Sequence, residues 1–160
     1  MIHSPDQPSA EAGIYADTQT GLIIKNLGIT GNNYGIRFFN VDRATITGDS
    51  FSSDYSAINL EDGSDTNTVS GNSIHGNPSG LSSYGVYVSS GAFNSVSNNI
   101  ADSTGRGFIF ISSSNNTVTG NTAANNLESA GIVLIDSCAN NVVTGNTLRS
   151  NMYGLWMQTN

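Results

Sequence analysis

Apolar residues in this chain fall into two short phrases that alternate along its length. In the first, an apolar residue stands third, followed by a polar turn. The clearest copies are Asn67-Thr-Val-Ser-Gly-Asn-Ser-Ile74, Asn94-Ser-Val-Ser-Asn-Asn-Ile-Ala101, Asn116-Thr-Val-Thr-Gly-Asn-Thr-Ala123 and Asn141-Val-Val-Thr-Gly-Asn-Thr-Leu148. Ala44-Thr-Ile-Thr-Gly-Asp-Ser-Phe51 is a weaker copy, and Gly21 to Ile29 a distorted one. The second phrase follows a Gly: Gly13-Ile-Tyr-Ala16, Gly35-Ile-Arg-Phe38, Gly85-Val-Tyr-Val88, Gly107-Phe-Ile-Phe110, Gly131-Ile-Val-Leu134 and Gly154-Leu-Trp-Met157, with Ala57-Ile-Asn-Leu60 in the same slot. Apolar residues at period two predict short strands with one face inward.

Aligned on the third position, the first phrase recurs at Ile24, Ile46, Val69, Val96, Val118 and Val143, in steps of 22, 23, 27, 22 and 25 residues. Short strands at such a period predict a solenoid. Neighbouring copies must then be parallel strands about 4.8 Å apart, and right-handed crossover is the strong default. The expected fold is all-β: a single-stranded right-handed parallel β-helix of six to seven coils of about 22–27 residues, over residues 13–160, after an irregular N-terminal segment 1–12. Its core should hold stripes of Ile, Val, Leu and Phe, among them Ile58, Leu60, Phe108 and Phe110, with Met157 also inward.

Polar residues repeat as regularly. Asp49, Asn72, Asn99, Asn121 and Asn146 share one slot, and Asn32, Asp54, Asn77, Asn126 and Asn151 another. Stacked Asn side chains can pass amide hydrogen bonds from coil to coil, and Asn tolerates a left-handed bend. These positions read as structural corners. In the first slot the earliest coil is out of step, with Asn26 standing one place before the expected Leu27.

The abundance of Asn, Ser, Gly and Thr would by itself suggest disorder, but the periodic apolar pairs exclude it. With a net charge of −7 and five scattered basic residues, the chain has no stripe that could neutralise phosphates, which argues against nucleic acid. No apolar run approaches the length of a transmembrane helix, and Met1 to Ser9 has no signal-peptide pattern. Cys138 is a single cysteine, so no intrachain disulfide is expected. The repeat is running by Gly13 and stops at Trp156 without a polar cap, which suggests a piece of a longer protein whose ends fray or associate.

Phrases such as Asn116-Thr-Val-Thr-Gly-Asn121 followed by Gly131-Ile-Val-Leu134 resemble the NosD-like and carbohydrate-associated β-helix repeat proteins, a group that includes mannuronan epimerases and many surface proteins. The resemblance covers residues 13 to 160. It implies a secreted, periplasmic or cell-surface location and contact with polysaccharide. Fold alone does not license an activity, and the catalytic signatures of related enzymes are missing. The prolines occur as Ser4-Pro5-Asp6, Gln7-Pro8-Ser9 and Asn77-Pro78-Ser79, not in the epimerase Asp-Pro-His phrase, and Ile74-His75-Gly76 is not the polygalacturonase Gly-His-Gly. The calcium-holding aspartates of pectate lyases, with their catalytic Arg, have no counterpart either. Copper, to which the NosD-like name is tied, would need clustered soft donors, whereas His3, His75, Cys138, Met152 and Met157 are dispersed; no cofactor is expected.

Three candidate sites follow from stacking. Outward columns bring Tyr15, Arg37, Tyr87 and Trp156 onto one face, with Tyr34, Tyr84, Arg106 and Tyr153 beside them. Aromatic rings along an elongated face could stack on sugars, and the arginines would favour acidic ones. Ile109, Ile111, Val133 and Ile135 interrupt that face and form an apolar patch suited to a protein contact if both columns meet solvent. His75 and Asp102 should be neighbours on adjacent coils, beside Tyr84, Arg106 and Glu128 and the longer loops after Ile74 and Ala123. A His oriented by Asp can act as a general base, although such surface pairs are common without it. Glu61, Asp62 and Asp65 share a turn that could hold a weak calcium ion. Two function classes stay open: a non-catalytic structural or polysaccharide-contacting module, and a fragment of a lyase, epimerase or hydrolase acting on acidic glycans. The lack of a complete catalytic set favours the first.

Overall fold

The computed structural model describes residues 12–52, 54–76 and 83–159. Most of the N-terminal segment, His3, Asn77 and the loop that follows Gly76 lie outside the described residues. Ala12, assigned from the sequence to the irregular segment, already belongs to the first strand.

Every described strand is parallel to its neighbours, and the strands form three sheets. Seven six-residue strands make the long sheet: Ala12–Asp17, Tyr34–Phe39, Ser56–Glu61, Tyr84–Ser89, Arg106–Ile111, Ala130–Ile135 and Tyr153–Gln158. Two sheets of three-residue strands complete each coil. One runs from Ile23–Lys25 through Thr68–Ser70 to Val142–Thr144, the other from Gly28–Thr30 through Ser73–His75 to Thr147–Arg149. No helix occurs among the described residues, so none there is long and apolar enough to cross a membrane.

The register is the one the repeat spacing demands. Ile24, Ile46, Val69, Val96, Val118 and Val143 pair in unbroken succession. Strand pleating sends these residues inward, together with Ile29, Phe51, Ile74, Ala101 and Ala123 of the next sheet and both inward positions of the long sheet. Ile58, Leu60, Phe108 and Phe110 are fully buried, as expected. Each such side chain stabilises the fold by about 1.5–3 kcal/mol relative to exposure. Leu155 and Met157 keep the inward register of Ile132 and Leu134, yet both are exposed, Met157 by 67%. They lie on the last coil, and no described coil stacks over them.

Corners are built from amides. Asn72, Asn99, Asn121 and Asn146 each accept, through Oδ1, the backbone N–H of the corresponding residue one coil earlier, at 2.8–3.0 Å. The second predicted ladder links Asn32 to Asp54, and Thr104 through Asn126 to Asn151. A third ladder, unexpected from the sequence, runs through the Asn that opens each phrase: Ala44 to Asn67, Asn94, Asn116 and Asn141. Each ladder satisfies backbone groups that a buried turn would otherwise orphan.

The irregularity at Asn26 has a backbone cause. Asn26 occupies the left-handed corner position that Gly48, Gly71, Asn98, Gly120 and Gly145 fill in later coils, with φ near +56° against +55 to +68° for the others. Gly and Asn adopt this region at the least cost. Leu27 then stands in the ladder slot and contributes only its N–H, to Asp49 Oδ1 at 2.8 Å.

Candidate binding face

The outer surface of the long sheet carries the aromatic columns: the pleat that turns Ile36 and Phe38 inward turns Arg37 and Phe39 outward, and the alternation breaks at Gly35, which packs on Phe51 and the Ala57 carbonyl, so that Tyr34 joins Arg37 outside. Register pairs confirm the columns. Tyr15, Arg37, Asn59, Tyr87, Ile109, Val133 and Trp156 stack in one line, and Tyr34, Ser56, Tyr84 and Arg106 in the line beside it.

Arg37 organises the first part of this face. Its guanidinium carbon lies 4.4 Å from the Tyr34 ring centre and 4.5 Å from that of Phe39, and Tyr15 packs on Phe39 with ring centres 6.0 Å apart. Arg37 Nε donates to Glu61 Oε1 at 3.1 Å and its terminal nitrogen to Oε2 at 3.3 Å. Burial disfavours the guanidinium charge, but the hydrogen bonds and charge of Glu61 outweigh it and lift the pKa above its ordinary value. The pair joins adjacent coils, and Glu61, a candidate calcium ligand in the sequence, closes a bidentate ion pair on the sheet.

Asn59 and Ser56 form a polar floor on the next coil. Asn59 Nδ2 donates to Glu61 Oε1 at 3.0 Å, and Ser56 Oγ donates to Asn59 Oδ1. Both residues point outward and are nevertheless buried. The far side of the floor is aromatic. Tyr84 contacts Tyr87, with ring centres 5.5 Å apart, and Tyr55 at 5.9 Å; the Arg106 guanidinium stands 5.5 Å from the Tyr84 centre. Tyr55 was not anticipated, since it sits in the corner one residue before the outward column. Burial raises the pKa of Tyr87, with a partial offset from its hydrogen bond to Ser89, so the ring presents a neutral phenol at physiological pH. Trp156 and Tyr153 pair at 5.9 Å on the last coil, separated from the other rings by Ala130, Ile109 and Val133.

The expected apolar patch is not an open one. Ile109 and Val133 are 3% and 1% exposed. They form a second small core with Ala130, against which Tyr84, Tyr87, Ile111 and Ile135 pack. Tall neighbours on both sides of short aliphatic side chains remove them from water, leaving Ile111 and Ile135 half-buried.

His75 and Asp102 are register neighbours, as the repeat predicts. Their closest approach, Nδ1 to Oδ2, is 3.7 Å, and the His75 side chain is 61% exposed. That exceeds a hydrogen bond. Asp102 is held instead by Asn125 Nδ2 at 2.7 Å and Ser103 Oγ at 3.2 Å, so the carboxylate does not orient the imidazole. Glu128 Oε2 reaches over Gly105, 3.2 Å from where a Cβ would stand.

The acidic turn is also dispersed by the fold. Glu61 is committed to Arg37, Asp65 Oδ1 accepts the N–H of Ala92 at 2.7 Å, and Asp62 lines a separate depression with Tyr15, Asp17, Thr18, Phe39 and Asn40. Among the described residues no group of three or more His, Cys, Asp or Glu side chains is placed to hold a metal ion.

Three parallel sheets wound into one solenoid, with aromatic and polar side chains on a single outer sheet, define a β-helix with an elongated surface face. The family model described as "right handed beta helix region" matches residues 12–160, and the chain belongs to that family. No curated protein and no solved structure matches it.

Proposed function

We propose that this chain is a non-catalytic β-helix module that contacts polysaccharide through the outer face of the long sheet. The observation that carries the reading is the pair of aromatic walls made by Tyr34 and Arg37 and by Tyr84 and Tyr87, with the half-buried Glu61 carboxylate on the coil between them. The walls stand two coils apart, about 9.6 Å from the strand spacing, a span that a short oligosaccharide covers. Rings supply flat apolar area for sugar faces, while the half-buried Glu61 carboxylate supplies acceptors for hydroxyls. Such a module suits an extracellular or surface setting and the carbohydrate side of the NosD-like resemblance.

The ion pair changes the expected ligand. Arg37 is already matched by Glu61, and the chain carries a net charge of −7, so long-range electrostatics oppose a polyanion. A neutral glycan fits better than a uronate polymer. Titration of neutral and acidic oligosaccharides into the wild type and Tyr87→Ala tests this. Binding of a neutral glycan, weakened about three- to tenfold by loss of one ring contact, supports it. No binding, or equal binding by both proteins, leaves a structural spacer as the better account.

The alternative, a fragment of an enzyme acting on acidic glycans, has the His75–Asp102 neighbourhood behind it, with the 3.7 Å separation against it. Unsaturated products or new reducing ends from uronate polymers, lost in His75→Ala, would favour that reading.

A further inference from the structure

Two buried carboxyls stand where the ladders otherwise hold amides. In the ladder through Asn72, Asn99 and Asn121, each Nδ2 donates to a carbonyl one coil back: Asn72 to Ile46 at 3.1 Å, Asn99 to Val69 at 2.9 Å, Asn121 to Val96 at 2.9 Å. Asp49 keeps the acceptor half of this arrangement, taking the N–H of Leu27 on Oδ1 at 2.8 Å. Its Oδ2 takes the place of the amide nitrogen, is buried, and has no hydrogen-bond partner. By register, the carbonyl that an amide would reach there is that of Ile24, the neighbour of Ile46.

Asp54 repeats the arrangement one corner further on. Its Oδ1 accepts the backbone N–H of Asn32 at 2.8 Å and the side-chain Nδ2 at 3.3 Å, while Oδ2 is buried without a partner. In this ladder Asn126 and Asn151 send Nδ2 to the carbonyls of Ala101 and Ala123. The register carries that position back through Ile74 and Phe51 to Ile29.

An ionised carboxylate only accepts hydrogen bonds, so Oδ2 would set a lone pair against a carbonyl in a buried corner; a protonated one donates as an amide does. Asp49 and Asp54 are 1% and 4% exposed. Asp49 is faced by Leu27 from the coil before, Thr47 from its own coil and Asn72 from the coil after, and Asp54 by Asn32. None of these groups carries a charge that could offset ionisation. Burial accordingly pushes both carboxyls above the ordinary carboxylate range, more than the N–H groups of Leu27 and Thr47, or of Asn32, pull them down.

We infer that Asp49 and Asp54 are held as neutral carboxylic acids that donate through Oδ2–H to the carbonyls of Ile24 and Ile29, and that their ionisation loosens the first coil from the rest of the solenoid. Because folding favours the protonated form, the stabilisation is complete below the unfolded-state value and is lost as pH rises through the higher folded-state values. The device makes the first coil firmer at low pH than at high pH.

Asp49→Asn and Asp54→Asn restore the amide rung and remove the titration, and they keep the fold intact for measurement. Thermal melts of wild type and both variants at pH 4 and pH 8, with a carboxyl-carbon NMR titration of the wild type, decide the matter. The expected result is a gain of about 3 °C per substitution at pH 8, much reduced at pH 4, and two carboxyls titrating above the ordinary range. Carboxyls that titrate at or below that range, or a gain that is the same at both pH values, would overturn it.

Discussion

Asn121 Oδ1 accepts two hydrogen bonds from Asn99, one from its backbone N–H and one from its Nδ2, both at 3.0 Å. One side chain thus ties two coils through both backbone and side chain, in a corner where neither residue meets solvent. Replacing Asn121 by Ala orphans the backbone N–H of Asn99 and one of its two amide hydrogens, the other staying on the Val69 carbonyl, each loss costing about 1–3 kcal/mol. Asn121→Ala should therefore destabilise the protein by about 3 kcal/mol, read as a lower denaturant midpoint at unchanged slope.

Glycines of the long sheet are needed for close approach. A Cβ on Gly107 would lie 2.5 Å from the carbonyl oxygen of Gly131 and 3.0 Å from Ala123 Cβ. Gly107→Ala should cost about 1–3 kcal/mol through overpacking, checked by the same unfolding titration.

Gly71 tests a different cause. It has φ of +65° and open space around its missing side chain. Gly71→Ala should cost about 1–2 kcal/mol from the left-handed backbone alone. Gly71→Asn should cost less, because Asn26 and Asn98 already serve in that position. Equal losses for both substitutions would contradict this account of the corner.

Glu61→Gln releases the Arg37 charge that Glu61 now matches. Affinity for an acidic oligosaccharide should rise about tenfold at low salt through one charge-assisted hydrogen bond, and the gain should shrink at high salt. Calorimetric titration at two ionic strengths checks it.

His75→Ala should shift stability by less than about 0.5 kcal/mol at pH 5.5 and at pH 8, since an exposed pair separated by 3.7 Å is worth little. Thermal melts at the two pH values are sufficient.

The repeat spacing alone determined which residues are stacked. Parallel coils of 22 to 27 residues leave a single register in which Val69, Val96 and Val118 can share a face, because a slip by one residue would turn every inward side chain outward. The same constraint placed His75 beside Asp102 and Arg37 beside Asn59. What stacking cannot specify is the reach and cover of each side chain. Whether Arg37 spans diagonally to Glu61, whether Ile109 and Val133 are roofed by taller neighbours, and whether His75 closes on Asp102 depend on rotamers and on rings from three adjacent coils. Those were decided only in the tertiary structure, as was the role of Asn26, whose backbone angle, not its amide, explains its place. Periodicity acts through the backbone, which repeats; the binding face is built from the side chains that do not.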